Sequence, residues 1–186
     1  IRDSPDNDRI IQQTKNWISN IVIGLNLCPF AKHAFDQQKI SYTVISSKNT
    51  SDHLEQLADC FRVLDIDNDI ETSLIIFPGS YTTFDSYLEL LHVADLFVED
   101  QKYDGTYQLA SFHPDYQFAD TAKDDASNFT NRSPYPMLHI LRENSVEQAV
   151  ARYPDIEAVP ENNIKKCRET GYDTMQAYLD KCRLEP

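Results

Sequence analysis

An unbroken apolar run, Leu74-Ile75-Ile76-Phe77, constrains the fold of this chain more than any other feature. A strand with one face in water alternates apolar and polar residues, so four consecutive apolar residues suit a central strand buried on both faces. Pro78 and Gly79 end the run. The sequence therefore predicts a sheet with other elements packed against it.

Three further segments are typical of strands, and the segments between them are typical of amphipathic helices. The additional strands are expected at residues 40–45, 106–112 and 137–141. The helices are expected at about residues 5–24, 51–64, 83–100, 145–152, 161–170 and 173–183. This order predicts an α+β fold: a sheet of about four strands, partly joined by helical crossovers, with a long N-terminal amphipathic helix and a helical C-terminus. We expect one globular domain over residues 1–186, with residues 1–7 as a flexible N-terminal extension.

The charge of the chain argues against polyanionic partners. It has 17 Lys and Arg residues against 30 Asp and Glu residues, a formal net charge of -13. A protein this acidic repels nucleic acid and anionic membrane surfaces at range, and no apolar run approaches the roughly 18 to 20 residues of a membrane span. Four cysteines without a CxxC pair, and no signal-peptide pattern, predict a cytoplasmic protein. The sequence leaves the oligomeric state open.

Cys28 is the first residue that suggests chemistry. The residue before a proline avoids the helical region, whereas proline favours the first position of a helix. We therefore predict a short helix that begins at Pro29, with Cys28 at its N-cap. Free N–H groups and the helix dipole at that position stabilise a thiolate, which makes Cys28 a candidate nucleophile. The alternative is that Cys28 is a small buried hydrophobic residue.

Three residues near the sheet carry ionisable groups of interest. His113 ends the predicted third strand, where a histidine can act as a general base or a metal ligand, and Asp115 is placed to orient it. The alternative is that His113-Pro114-Asp115 is a turn in which Asp115 bonds to backbone N–H groups. His139 lies in the middle of the predicted fourth strand, where a hydrogen-bonded core histidine is favoured over a site residue.

The loop before the fourth strand contains two prolines, which stiffen it, and three candidate substrate-binding residues, Asn131, Arg132 and Tyr135. An arginine can bind a carboxylate or a phosphate through two parallel hydrogen bonds, and Arg142 could supply a second contact. In the alternative, Arg132 pairs with a nearby acidic residue such as Asp125.

Three segments in this order resemble those of a known family. They are residues 24–31 (GLNLCPFA), 112–119 (FHPDYQFA) and 131–136 (NRSPYP). The family that they resemble is the uncharacterised domain-of-unknown-function family numbered 1415, over about residues 14–182. The resemblance implies a soluble, single-domain, mostly bacterial protein. It implies no activity, so no catalytic residue is taken from it.

The residues themselves favour a small-molecule enzyme that catalyses thiol-dependent group transfer or hydrolysis. Cys28 is the expected nucleophile, His113 the base and Asp115 the group that orients it, while Asn131 and Arg132 bind an anionic part of the substrate. This mechanism requires no cofactor.

Two other functional hypotheses remain open at the level of sequence, as does a purely structural origin of these segments in which the prolines serve only to shape turns. The first is a zinc or iron site formed by Cys28, His113, Asp115 and His139, since thiolate, imidazole and carboxylate groups all bind these metals. The second is a non-catalytic module for a ligand or a protein, in which residues 120–130 close over the bound partner.

Overall fold

The computed structural model describes residues 5–184 and confirms the α+β fold. Its helices are α1 (Pro5–Trp17), α2 (Ala31–Asp36), α3 (Thr50–Ile66), α4 (Phe84–Asp100), α5 (Glu143–Arg152), α6 (Val159–Thr170) and α7 (Tyr172–Leu184). Its strands are β1 (Ile40–Val44), β2 (Thr72–Ile76), β3 (Tyr107–Phe112) and β4 (Met137–Arg142). Residues 5–7, which we expected in a flexible extension, form the start of α1, while residues 1–4 lie outside the described residues.

The four strands form one mixed sheet in the order β1-β2-β4-β3. Strands β1 and β2 run parallel and are joined through α3, whereas β4 is antiparallel to both of its neighbours. Every residue of β2 is buried, as the apolar run predicted. The two central strands, β2 and β4, therefore place their side chains deep inside the protein on both faces of the sheet.

Helices cover each face of this sheet and form two separate cores. Because successive strand residues point to opposite faces, Ile75 packs in the core with α3 and α4, while Leu74 and Ile76 pack against α1, α6 and α7. A π-helix, Ile18–Ile23, continues α1 within this second core. The result is three layers with the sheet in the middle.

Capping residues set the limits of several helices. The side chain of Asn49 accepts a hydrogen bond from the Ser51 N–H group at the start of α3, and Thr83 accepts one from Ser86 at the start of α4. Helix α6 ends at Thr170 and is followed by Gly171, whose φ of 89° lies in the region that glycine adopts without strain. None of the helices within residues 5–184 combines the length and the apolar character needed to cross a membrane.

Candidate functional site

A cavity of about 250 Å³ lies between the second face of the sheet and the helices above it. Its floor consists of side chains that alternate along the strands: Thr72, Leu74, Ala110, Phe112, His139 and Leu141. Residues from α1, the π-helix, α2 and α5 form its walls and roof. Most of this lining is apolar, so the few polar groups within it stand out as the chemically distinctive part of the cavity.

Helix α5 forms the roof of the cavity and is itself exposed to solvent. This helix follows β4 directly, and none of its residues is buried. Val146 and Ala149 line the cavity from above. At the far end of α5, the ring of Tyr153 meets the ring of Phe30 edge to face, with the ring centroids 5.6 Å apart. Helix α5 therefore covers one side of the cavity with Val146 and Ala149, neither of which is buried.

His139 lies at the centre of the cavity floor, because β4 is a central strand and His139 is paired with Leu74 and Ala110. Its Nε2 atom is 2.5 Å from the Thr72 Oγ1 atom. The Thr72 hydroxyl donates to the carbonyl oxygen of Ile140 over 2.6 Å. Since the carbonyl can only accept, the Thr72 proton is used there, and the Nε2 atom must carry the other proton. The lone pair of the imidazole is consequently on the Nδ1 atom.

The Nδ1 atom of His139 is open to the cavity. Within the described part of the chain, the only hydrogen bond of this ring is the one to Thr72. The described residues nevertheless contain no buried side-chain nitrogen or oxygen without a partner. The Nδ1 atom is therefore accessible, and the accessible space beside His139 is the cavity that it lines.

Burial also fixes the charge of His139. Desolvation lowers the pKa of its imidazole to about 4, because burial disfavours the charged form. The ring is neutral at pH 7. The cavity thus presents an uncharged hydrogen-bond acceptor rather than a cation.

Cys28 lines the same cavity and is half-buried, whereas Cys60, Cys167 and Cys182 are buried. The predicted N-cap geometry is wrong: α2 begins at Ala31 with Phe30 at its N-cap. Cys28 lies in the connection before this helix, where its carbonyl accepts from the Ala31 N–H group. The helix N-terminus that was expected to stabilise a thiolate is therefore not placed at Cys28.

Local backbone geometry directs the connection that carries Cys28. A Cβ atom at Gly24 would overlap the carbonyl oxygen of Asn20, so glycine is required where the π-helix ends. Further along, the carbonyl of Leu27 accepts a hydrogen bond of 2.7 Å from the side chain of Asn163 in α6. No hydrogen bond joins Cys28 to His139 in the described part of the chain, so the imidazole acceptor is not used by the thiol.

His113 does not share this cavity. It follows Phe112, which faces the cavity, and its own ring packs on the other side of the sheet against Phe84 and Tyr87. The His113 Nε2–H group donates to the carbonyl of Tyr81, and the Nδ1 atom accepts from the backbone N–H group of Asp115. Burial lowers the pKa of this imidazole. Both nitrogens are therefore engaged in holding a turn, which corrects the expected pairing of His113 with Cys28.

The exposed side chain of Asp115 does not orient the imidazole. The backbone N–H group of Asp115 donates to the ring instead, within a turn. The turn agrees with the alternative, but the expected contact from the Asp115 side chain to backbone N–H groups does not appear among the hydrogen bonds of the described residues.

Arg132 is 2 % exposed, and its guanidinium binds protein groups. Its three nitrogens donate to the carbonyl of Tyr116, the hydroxyl of Tyr172 and the carbonyl of Lys123. The alternative pairing with Asp125 does not occur either, because that carboxylate is bound by Arg168 at 2.7 Å. Arg132 therefore joins loops to α7, and its donors are not available to an anionic substrate.

The other predicted substrate-binding residues also stabilise the fold. The side-chain amide of Asn131 donates to the Ser111 carbonyl over 3.0 Å, and the Tyr135 hydroxyl donates to Gln13. Arg142 reaches the edge of the cavity, but its guanidinium donates to backbone carbonyls at and after the end of α3. Of the predicted site residues, the structure thus brings Cys28 and Arg142 to the cavity, together with the metal candidate His139.

The four residues of the metal hypothesis do not assemble. Residues 5–184 contain no group of three or more His, Cys, Asp or Glu side chains that could hold a metal ion. Cys28 and His139 line the cavity while His113 and Asp115 lie elsewhere, which removes the geometric basis of a zinc or iron site formed by this set.

Two cavity residues, Thr72 and Trp17, were not recognised in the sequence. Thr72 precedes the apolar run, and only the register of β2 against β4 brings it beside His139. Trp17, the single tryptophan of the chain, lines the cavity wall and donates its indole N–H group to the carbonyl of Arg132 over 3.1 Å. In the structure Trp17 stands at the junction of α1 and the π-helix, and π-helical turns are frequent at functional sites.

Comparison with known proteins gives a family but no activity. A family model described as "Protein of unknown function (DUF1415)" matches residues 9–177. No curated protein and no solved structure matches the chain.

Proposed function

This chain belongs to the DUF1415 family of proteins of unknown function, and we propose that it binds a small, mainly apolar molecule in the cavity lined by Cys28 and His139. The observation that carries the proposal is the accessible Nδ1 acceptor of His139 within a mainly apolar lining. Small-molecule sites commonly combine apolar walls with a few polar groups that fix the orientation of the ligand.

The size of the cavity supports this function. Protein interiors are densely packed, so a space of about 250 Å³ is not an ordinary packing defect. An engineered apolar cavity of ~150 Å³ accommodates benzene. The cavity in this chain is therefore large enough for a substituted ring or a branched aliphatic molecule.

A thiol-dependent reaction is the second candidate function. It is favoured by the position of Cys28, the one cysteine that is not buried, in the wall of the same cavity. In such a reaction His139, rather than His113, would be the imidazole closest to the bound molecule. Cys28→Ser separates the two functions, because it abolishes a thiol-dependent reaction and leaves simple binding nearly intact.

All four cysteines have free thiols, which supports the cytoplasm as the proposed location because a reducing compartment keeps thiols reduced.

Binding is tested directly with p-xylene as an apolar probe and Trp17 as the reporter. The single tryptophan gives one indole N–H signal in a ¹H–¹⁵N NMR spectrum, and its side chain lines the cavity. We expect p-xylene to shift this signal saturably in the wild-type protein. Ala149→Leu, which extends a side chain into the cavity from α5, should weaken the effect, and Ala151→Leu, at an exposed position of the same helix, should not. The absence of any saturable shift in the wild-type protein would overturn the proposed function.

A further inference from the structure

The polar groups around the cavity restrict which molecule it can hold. Three kinds of ligand can be compared: an anion, a cation and an uncharged molecule with a hydrogen-bond donor. Each would interact differently with His139 and with the charged residues at the edge of the cavity, Glu71 and Arg142.

An anionic ligand finds no cation on the floor of this cavity. The imidazole of His139 is neutral, and the guanidinium of Arg142 is already bonded to the carbonyls of Leu64, Asp67 and Ile70. Glu71 at the edge adds a negative charge that repels an anion. A buried anion would therefore lose its hydration and meet, among the described lining residues, a single cation, Arg142, whose guanidinium is held by these carbonyls at the edge that also carries Glu71, which is unfavourable.

A cationic ligand is disfavoured for a related reason. Glu71 lies at the edge of the cavity, and no carboxylate lies among the residues of its floor. A cation would have to leave water for walls formed mainly by apolar side chains, again at a large desolvation cost.

An uncharged molecule with one donor matches the site. The Thr72 hydroxyl and the Ile140 carbonyl hold the proton of His139 on its Nε2 atom, so the Nδ1 atom can only accept. This acceptor is bonded neither to Cys28 nor to another described group. A ligand with a hydroxyl or N–H donor would supply its missing hydrogen bond. The surrounding apolar side chains would enclose the rest of the molecule.

Given the proposed function, on which this step rests, we infer that the ligand is an uncharged molecule with an apolar, ring-sized body and one hydroxyl or N–H group that donates to the Nδ1 atom of His139. Phenols, hydroxylated aliphatic rings and neutral N–H heterocycles belong to this class. The thiol of Cys28 would then lie beside the bound body, on the wall of the cavity.

The test compares p-cresol with p-xylene, two molecules of nearly the same shape that differ by a hydroxyl group in place of a methyl group. Dissociation constants are measured from the Trp17 indole signal in the wild-type protein and in His139→Gln, whose side-chain amide can keep the bond to Thr72 but lacks the Nδ1 acceptor. We expect the substitution to weaken the binding of p-cresol, relative to that of p-xylene, by about tenfold or more. This is the usual effect of leaving a buried hydroxyl without a partner. His92→Gln, at an exposed position of α4, is the control and should leave the ratio unchanged.

A second measurement uses only the wild-type protein and does not depend on the folding of a variant. The ¹⁵N resonance of the His139 Nδ1 atom should move when p-cresol binds and stay in place when p-xylene binds. Suppose that p-xylene binds, that p-cresol does not move this resonance, and that the dissociation constant of p-cresol is the same in His139→Gln. The inference about the donor then fails and the proposed function stands. If p-xylene does not perturb the Trp17 signal, the proposed function fails as well.

Discussion

The Nε2 atom of His139 lies 2.5 Å from the Oγ1 atom of Thr72, and this contact determines what the cavity offers to a ligand. The Thr72 hydroxyl donates a hydrogen bond to the carbonyl of Ile140, and its oxygen accepts one from the Nε2–H group of the imidazole. The two residues come from neighbouring strands, β2 and β4, and both face the same side of the sheet. Together they keep one nitrogen of His139 protonated and the other free.

The first prediction concerns the hydroxyl of Thr72. Thr72→Val keeps the shape of the side chain but removes the partner of the His139 Nε2–H group, and we expect a loss of about 1–3 kcal/mol in the free energy of unfolding. Thr72→Ser retains the hydroxyl and should cost less. Urea denaturation of both variants measures the difference. An equal loss in the two variants would show that packing of the methyl group, rather than the hydrogen bond, explains the effect.

The second prediction concerns the pH dependence of stability. The pKa of His139 is about 4 in the folded protein, below its ordinary value of 6.5. Because the unfolded chain binds a proton more readily in this range, the contribution of His139 is complete above about pH 6.5 and decreases as the pH falls towards 4. We expect His139 to lower the free energy of unfolding by about 2 kcal/mol between pH 7.5 and pH 5.

The contribution of His139 is isolated by comparison with His139→Gln in urea titrations at both pH values. Burial also lowers the pKa of His113, so the variant should retain part of the decrease at low pH. Parallel pH profiles for wild type and variant would contradict the assigned environment of His139.

The third prediction concerns cysteine reactivity. Cys28 is half-buried in the cavity wall, whereas Cys60, Cys167 and Cys182 are buried. We expect iodoacetamide to modify Cys28 at least about tenfold faster than the others in the folded protein, because a buried thiol reacts only after local opening. Mass spectrometry of peptides gives the rate at each site. Saturating p-xylene should slow the reaction at Cys28 alone, and equal rates at all four sites would contradict the structure.

The fourth prediction distinguishes a structural role of Arg132 from the substrate-binding role that its sequence context suggested. Arg132→Met removes the donors to the carbonyls of Tyr116 and Lys123 and to the hydroxyl of Tyr172, and we expect a loss of about 3 kcal/mol in the free energy of unfolding. Lysine cannot reproduce the planar set of donors, so Arg132→Lys should also be destabilising. The control Arg168→Ala removes an exposed ion pair and should have little effect. A fully stable Arg132→Met protein would show that these hydrogen bonds contribute little.

The periodicity of the sequence predicted most of the fold. The run at residues 74–77 identified the buried central strand, and amphipathic spacing located the long helices. Local patterns carry this information because strand and helix periods are set by backbone geometry. Strand order was not predictable, since several arrangements of four short strands satisfy the same pattern.

The site was predicted only in part, because local patterns do not show which distant segments of the chain come into contact. Cys28 was identified from its proline neighbour, but the helix after it begins two residues later than the pattern indicated. His113 and Arg132 were chosen for their chemistry, yet all of the nitrogens of both side chains bond to protein groups, among them Tyr81 and Tyr172, which are distant in sequence. The pairing of Thr72 with His139 depends on the register of two strands that are far apart in the chain.

The most direct test of the ligand site is to locate a bound probe by NMR. Intermolecular nuclear Overhauser effects between the ring protons of p-cresol and protein methyl groups report which side chains surround it. We predict contacts to the methyl groups of Ala110, from the floor of the cavity, and of Val146, from α5 above it. Contacts confined to exposed residues such as Ile66 and Leu184 would contradict the account, because they would place the probe on the surface and leave the cavity unoccupied.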